Sequence, residues 1–403
     1  MLRRASRALC SAAGGAPAPA LAVYSWGGGS AGALGHGNEN NVEAPTRLMD
    51  AALLAALASA SASSRPRVSA GLFHSAVTVP GVGAWLFGRG AGGRLGAGDE
   101  RDSHVPRRVS ASTESGCDES GALAQAALGG LHTLLLSTSG TLFSCGFGGF
   151  GALGHGDFNA RHAATPLRLP GGLRVAQAAA GGAHSLAVTT CGQLLSFGRD
   201  EGDGRLGLSA SHGGGNSPAL VPLPPGAAAL HAAAGGFHSL LLTSMGGESV
   251  VLSVGGNANG ECGRQGGTWA LGRLDAAPSF QDVVQLCAGG FHSAALTREG
   301  RLFTWGGGQG GALGHGDKRS CRAPTLVQEL PPVARLACGG ASTFAACVDG
   351  SLWAWGKNVE RLGHTSADVL APRRVPLPPG VRALDVAAGA AHAVVLCTDE
   401  QGT

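Results

Sequence analysis

The sequence predicts an all-β fold, a seven-bladed β-propeller closed by pairing its own N- and C-terminal strands. Three observations predict it. Glycine makes up 70 of the 403 residues, two short anchors recur along the chain, and pairs of large residues two positions apart precede each copy of one anchor. Glycine at that frequency disfavours long helices, where each costs about 1 kcal/mol relative to alanine. It suits short strands joined by tight turns. The hydrophobic share of 44% is enough to fill a sizeable core.

The first anchor is a strand ending in aromatic-Gly, then a glycine-rich turn and Leu-Gly-His-Gly. Residues 26–37 read WGGGSAGALGHG, 87–98 read FGRGAGGRLGAG, 145–156 read CGFGGFGALGHG and 305–316 read WGGGQGGALGHG. Weaker copies start at Phe197, Val254 and Trp355. The second anchor, Ala-Gly-Gly-x-His-Ser, recurs around His74, His132, His184, His238, His292 and His392, and a further copy carries Ser342 in the histidine position. Successive anchors stand about 50 to 60 residues apart, a period that signals a solenoid or propeller.

Each unit reads as four strands. The pairs Tyr24/Trp26, Trp85/Phe87, Phe143/Cys145, Leu195/Phe197, Leu252/Val254, Phe303/Trp305 and Trp353/Trp355 have period 2, so each pair shares one sheet face. Alternation returns after the second anchor, as at Leu134 and Leu136, with short turns such as Arg298-Glu299-Gly300 between the two strands, which makes a hairpin. Pro45, Pro106, Pro166, Pro218, Pro278, Pro324 and Pro372 follow the Leu-Gly segments and mark edge strands. The copy around His392 lacks a following aromatic-Gly strand, and Ala22 to Trp26 lacks its partner. Pairing the two completes the last blade and removes the open ends. The expected organisation is a presequence over 1–20, one propeller domain over 21–398 and a short tail over 399–403.

The first 20 residues carry Arg3, Arg4 and Arg7 and no acid, and the first acidic residue is Glu39. On a helix the arginines fall on one side and Leu2, Ala5, Leu9 and Ala12 on the other. That is the pattern of an organelle transit peptide, with the mitochondrial matrix favoured over the chloroplast because arginine comes early and hydroxyl residues are few. No apolar run is long and unbroken enough for a membrane span.

Those three arginines account for the whole formal charge of +3. The body is neutral, which argues against a domain that grips nucleic acid through its phosphates. Arg101, Arg107 and Arg108 form a modest patch, and basic and aromatic residues are not interleaved as a stacking platform requires. The lysines, Lys318 and Lys357, do not follow a phosphate-binding Gly-rich loop. Gly27-x-Gly29-x-x-Gly32 matches a dinucleotide fingerprint, but no helix follows and the pattern recurs in register, so it is read as turn geometry. Ser30, within Gly28-Gly29-Ser30-Ala31-Gly32, is read as a turn residue because Gln309 holds the matching position. The ten cysteines include no C-x-x-C and read as reduced, small hydrophobes. Most histidines, including His36, His155, His315 and His364, sit at repeat positions and are expected to be structural, bonding backbone or locking turns. No catalytic residue, cofactor or metal site is expected.

Recognition is expected in the departures from the repeat. Residues 49–64 extend one link, with a short helix over 49–58. Residues 110–121 form a polar, acidic insertion with Glu114, Asp118 and Glu119. Residues 264–277 replace a Leu-Gly-His-Gly end with an irregular loop, and Trp269, Arg264 and Arg273 on it are the candidate partner contacts.

The combined repeat, A-G-G-x-H-S-x-x-L-T-x-x-G-x-L-[FY]-x-W-G-x-G-x-x-G-x-L-G-H-G, resembles that of the regulator of chromosome condensation family over roughly residues 21–398. The resemblance implies a propeller and several kinds of function. The family includes a nuclear exchange factor for the GTPase Ran, a plant UV-B photoreceptor, bacterial enzyme inhibitors, and organelle proteins linked to splicing, ribosome assembly, respiratory-complex biogenesis and GTPase regulation. The photoreceptor carries tryptophan in Gly-Trp-Arg-His motifs, whereas the matching positions here are Phe73, Leu131, Ala183, Phe237, Phe291 and Ala391, so light sensing is discounted. The expected function is a non-catalytic, monomeric interaction scaffold in mitochondria. It would serve organelle gene expression or respiratory-complex biogenesis through a protein partner, a GTPase or a mitochondrial ribonucleoprotein. The alternative is guanine-nucleotide exchange on an organelle or small GTPase.

Overall fold

The structure, a computed structural model, describes residues 20–400 apart from 61–64, 113–115, 117–118, 120–121, 201, 209–214, 266–270, 275, 277–279 and 358–366. Among the described residues the strands form seven four-stranded sheets. Six are built from consecutive strands: blade 1 over 67–108, blade 2 over 123–166, blade 3 over 175–220, blade 4 over 227–273, blade 5 over 283–326 and blade 6 over 333–375. Blade 7 joins the two ends of the chain, in the order Val42–Arg47, Ala20–Gly27, His392–Asp399, Val381–Ala388. Ala20 pairs with Asp399 and Gly27 with His392, so the terminal strands match along their whole length. The ring closes as the repeat register requires.

The first strand of each blade packs against the first strand of the next, so these seven strands line the centre. From there each blade turns through a glycine-led turn, Gly-Gly-x in five of the seven, into the second strand, which pairs with the third through a hairpin in blades 1 to 6, and the third strand ends in a large residue and glycine. These turns and the third-strand ends therefore share one face, the turn face. The hairpins and the links between blades share the other.

Large residues of period 2 fill the space between blades. Trp26, Phe87, Phe143, Phe197, Trp305 and Trp355 are fully buried, and Trp26 meets Phe344 of blade 6 edge-on with ring centroids 6.2 Å apart. The glycine after each aromatic has a structural reason, as Gly88 shows. Its φ is +109°, and a Cβ there would lie 2.7 Å from the His74 Cα. Pro45, Pro106, Pro166, Pro324 and Pro372 fall on outermost strands, where a missing N–H breaks no ladder. Pro218 precedes the two-residue strand Ala219–Leu220, and Pro278 lies outside the described residues.

The first insertion forms the helix Ala51–Ala58, capped by Asp50, whose carboxylate accepts from the Leu53 N–H at 2.8 Å. Leu53, Ala56 and Leu57 close over Leu48, Trp85 and Phe87. In the acidic insertion, the Glu119 N–H donates to the Ala111 carbonyl at 2.7 Å, and its carboxylate accepts from Ser139 Oγ at 3.1 Å. Glu114 and Asp118 lie outside the described residues.

A ring of histidines stitches neighbouring blades. The Nε2 of His74 lies 2.9 Å from Thr133 Oγ1, His132 2.8 Å from Ser185 Oγ, and His184 2.9 Å from Ser239 Oγ. His238 meets Ser293 at 2.8 Å, His292 meets Thr343 at 3.0 Å, and His392 meets Ser75 at 2.8 Å. Each hydroxyl donates its own proton to a backbone carbonyl, as Thr133 does to Arg94 and Ser75 to Ala33. It must then accept from the imidazole, which fixes the Nε2–H tautomer. The expectation that these histidines bond backbone or lock turns is thus corrected, because each bonds a side chain of the next blade. The ring packs flat on the first glycine of its anchor; a Cβ on Gly129 would lie 2.6 Å from His132 Cε1.

Candidate interaction face

The turn face is built from seven equivalent backbone contacts. In each blade the residue after aromatic-Gly donates its N–H to the carbonyl of the residue before the anchor histidine. The pairs are Arg89–Phe73 at 2.9 Å, Phe147–Leu131 at 3.0 Å, Arg199–Ala183 at 2.9 Å, Gly256–Phe237 at 2.8 Å, Gly307–Phe291 at 2.7 Å, Lys357–Ala341 at 2.8 Å and Gly28–Ala391 at 2.7 Å. One rigid rule thus sets fourteen residues around the channel mouth, and their identities decide what the face can hold.

Those identities are aromatic and cationic around much of the ring. Phe73, Phe147, Phe237 and Phe291 are 39%, 39%, 44% and 50% exposed, although phenylalanine is ordinarily buried. Phe237 and Phe291 stack with centroids 5.3 Å apart. Phe147 meets Phe150 edge-on at 5.3 Å, and the Arg199 guanidinium lies 4.4 Å from the Phe150 ring centre. Arg89 covers Phe73 at 5.5 Å. Lys357 is exposed on the same ring.

Two buried arginines brace these turns from below. Arg94 donates to the Gly130 carbonyl at 3.0 Å, and Arg205 donates to the Gly236 carbonyl at 3.2 Å. Arg205 also pairs with Asp203 and lies 5.0 Å from the Phe237 ring centre. Asp102 is held by the Gly90 N–H at 2.7 Å. The charge carried by the turn contacts is positive, from Arg89, Arg199 and Lys357. Held aromatics beside arginine suit recognition of a protein surface, since they bury area with little loss of freedom. Among the described residues no group of three or more His, Cys, Asp or Glu could hold a metal ion.

Burial governs the histidines below the face. It pushes His132 and His292 down to about 4 and His238 to about 3, with the Arg94 charge adding to the effect at His132, and His292 and then Arg205 adding to it at His238. His74 and His184 also lie well below the ordinary value, from burial first and then from Arg94 and Arg205 respectively. Neutral imidazoles locked in this way are structural.

The sequence-predicted contacts sit elsewhere. Trp269 lies outside the described residues. Arg264 is buried at 8% exposure, with Nε donating to Ser253 Oγ at 3.1 Å and Nη2 to the Ser253 carbonyl at 3.2 Å. Arg273 is exposed on Gly272–Arg273, opposite Leu252 on the outer edge of blade 4. Arg264 packs beneath that short strand, where a Cβ on Gly272 would lie 2.7 Å from its Cζ. Its place is that of the Leu-Gly-His histidine, since His36, His155 and His315 meet Ser25, Ser144 and Thr304 at 2.9 Å in the same way. The irregular stretch therefore begins one residue later than the sequence reading placed it. The signal was present, because Cys262-Gly263-Arg264 aligns with Leu-Gly-His. The exposed phenylalanines were missed as contacts, although large side chains recurring beside a turn could have marked them.

A ring of four-stranded units, closed end to end and presenting one turn from each blade, defines a repeat propeller whose working surface is a face. The chain belongs to the RCC1-like family: the RCC1-like domain matches residues 22–395. It is 35% identical to the RCC1 domain-containing protein RUG3, mitochondrial, of Arabidopsis thaliana, over 83% of this chain and 77% of that one. That similarity supports an organelle location. It is 27% identical to the secretion-regulating guanine nucleotide exchange factor of Bos taurus, over 94% of this chain and 83% of that one. The solved structure of Prp20p from Saccharomyces cerevisiae superposes with a TM-score of 0.78 at 19% identity, covering 95% of this chain and 92% of that one. The last likeness is one of fold.

Proposed function

We propose that this protein is a non-catalytic, monomeric interaction scaffold of the mitochondrial matrix. It serves organelle gene expression, in ribosome assembly or transcript splicing, and through it respiratory-complex biogenesis. Residues 1–20 act as the presequence and 21–398 as the working propeller. The carrying observation is the turn face, where Phe73, Phe147, Phe237 and Phe291 stand exposed beside Arg89, Arg199 and Lys357. Such a face fits a protein partner with an apolar centre and acidic rim. The mitochondrial relative supports the location and the neutral body supports protein over nucleic acid. The test is sedimentation of lysed mitochondria with and without RNase, with mass spectrometry of the companions. Migration in a large RNase-sensitive particle is the expected result, and absence of the protein from mitochondria would overturn the reading.

A second reading, guanine-nucleotide exchange on an organelle GTPase, is favoured by the similarity to the secretion-regulating exchange factor. It predicts sedimentation with a single GTPase and faster release of labelled GDP from it.

A further inference from the structure

We infer that Cys287 and Cys338 form a redox-active pair, able to close a reversible disulfide between blades 5 and 6. The two lie on neighbouring innermost strands, Val283–Ala288 and Val333–Cys338. The backbone N–H of Cys338 donates to Cys287 Sγ at 3.0 Å, which brings the Cys287 sulfur against the residue that bears the second thiol. Both are free and half-buried. In the other blades the place of Cys287 is held by Ser69, Ala127, Ala179, Ala233, Ala337 and Ala387, and that of Cys338 by Ala70, Leu128, Ala180, Ala234, Ala288 and Ala388. The repeat therefore does not require sulfur at either position, yet here two meet diagonally across one seam.

The pair is chemically unequal. The Cys338 side chain and its N–H, which points at the Cys287 sulfur, favour the Cys287 thiolate and lower its pKa, while burial and the neighbouring sulfur raise that of Cys338. Cys287 is the attacking group and Cys338 the resolving one. With hydrogen peroxide as oxidant, the Cys287 thiolate attacks one peroxide oxygen, the O–O bond breaks, and the departing hydroxide takes a proton to leave as water. The product is a Cys287 sulfenic acid. Cys338, losing its proton, then attacks Cys287 Sγ; the S–S bond forms, the S–O bond breaks, and the hydroxyl leaves as a second water. Both sulfurs together lose two electrons, which the peroxide gains, and a dithiol reductant reverses the change. The bond tethers the innermost strands directly below the turns bearing Phe291 and Lys357.

The test uses the full chain, reduced and then exposed to hydrogen peroxide, with free thiols alkylated before non-reducing digestion. Trypsin releases 274–298, whose cysteine is Cys287, and 336–357, which holds Cys338 and Cys347. The expected product is the two peptides joined, with fragmentation placing the bond at Cys338, and its loss on reduction. Cys287 should be consumed about tenfold faster than the exposed Cys191, a difference that thiolate character and not access would cause. Cys338→Ser should stop the reaction at a sulfenic acid on Cys287, trapped by dimedone. A Cys191 that reacts first, a bond to Cys347, or joined peptides in equal yield from urea-unfolded chain would overturn the proposal. These readouts on the unsubstituted chain stand even where a serine variant folds poorly.

Discussion

His392 of blade 7 reaches Ser75 of blade 1 with 2.8 Å between Nε2 and Oγ, and this lock has no counterpart on the other flank of the same blade. There the repeat register sets Ser342 of blade 6 against Ala393, so the histidine and its hydroxyl partner are replaced together. The Ser342 hydroxyl is buried without a hydrogen-bond partner among the described residues. Blade 7 is thus stitched to blade 1 by the girdle, whereas towards blade 6 the girdle bond is missing and the Ala383 N–H to Gly350 carbonyl bond at 2.9 Å lies at the far, hairpin end of the seam.

That asymmetry predicts a specific double-mutant cycle. Ser342→His alone places an imidazole N–H against the Ala393 methyl and should destabilise by about 1–3 kcal/mol, the cost of an unsatisfied buried donor. Ala393→Ser added to it supplies the acceptor and should return about 1 kcal/mol or more as a favourable coupling. Gly339 already provides the glycine on which the ring packs in other blades. Urea unfolding of the four chains measures the coupling, and strict additivity would show that the seam is not a missing lock.

The girdle also predicts lability to acid. Each histidine with a depressed pKa is neutral in the fold but takes up a proton near pH 6.5 once unfolded. Its stabilising contribution is complete above about pH 6.5 and is lost as pH falls toward the folded values, about 4 for His132 and His292 and about 3 for His238. Between those limits each such group adds a slope of about 1.4 kcal/mol per pH unit. His74 and His184 act in the same direction. The urea midpoint should therefore fall steeply between pH 6.5 and about 4.5, with several protons taken up on unfolding. A flat profile across that window would contradict the buried neutral ring.

The architecture was legible in the sequence because it rests on repetition. Trp26, Phe87 and Trp305 recur for one packing reason, and the unmatched ends around Ala22 and His392 announced the closure. The working face was less legible because its members are variable by nature. The position before each anchor histidine reads Phe73, Leu131, Ala183, Phe237, Phe291, Ala341 and Ala391, and only the fold shows that these seven turns open onto one surface. Arg264 misled for the opposite reason. Arginine in an irregular stretch looks like a contact, yet its fork replaces an imidazole against Ser253, an exchange visible only when the hydroxyl is placed.

The face carries its own prediction. Phe237→Ala with Phe291→Ala, or Arg89→Glu with Lys357→Glu, should leave the urea midpoint nearly unchanged, since these side chains are largely outside the core. Each set should reduce binding of the partner identified by sedimentation at least about 30-fold, the scale of losing one hot-spot aromatic. The charge-reversed set should also weaken the salt dependence of association. Undiminished binding by both sets would move the interaction to the opposite face, where the acidic insertion lies.

Closure of the ring can be read through the chain's single tyrosine. Tyr24 is 4% exposed on the first strand, and its hydroxyl donates to Asp399 Oδ2 of the last strand at 3.1 Å. Arg47 of the neighbouring strand reaches the same oxygen at 3.3 Å. Burial first, and then the hydrogen bond and charge of Asp399, push the phenol from 10.0 up to about 12. A raised phenol pKa means that the fold holds the proton more tightly than the open chain. This stabilisation is present below pH 10 and is lost as pH rises from about 10 to about 12. Phenolate absorbance in the native protein should therefore appear about 2 pH units later than in urea. Asp399→Ala leaves the buried hydroxyl unpaired and should cost about 1–3 kcal/mol. It should also bring the phenolate transition down, because the acceptor and its charge are gone while burial remains. A native transition already near 10 would mean that the terminal strands do not hold together in solution.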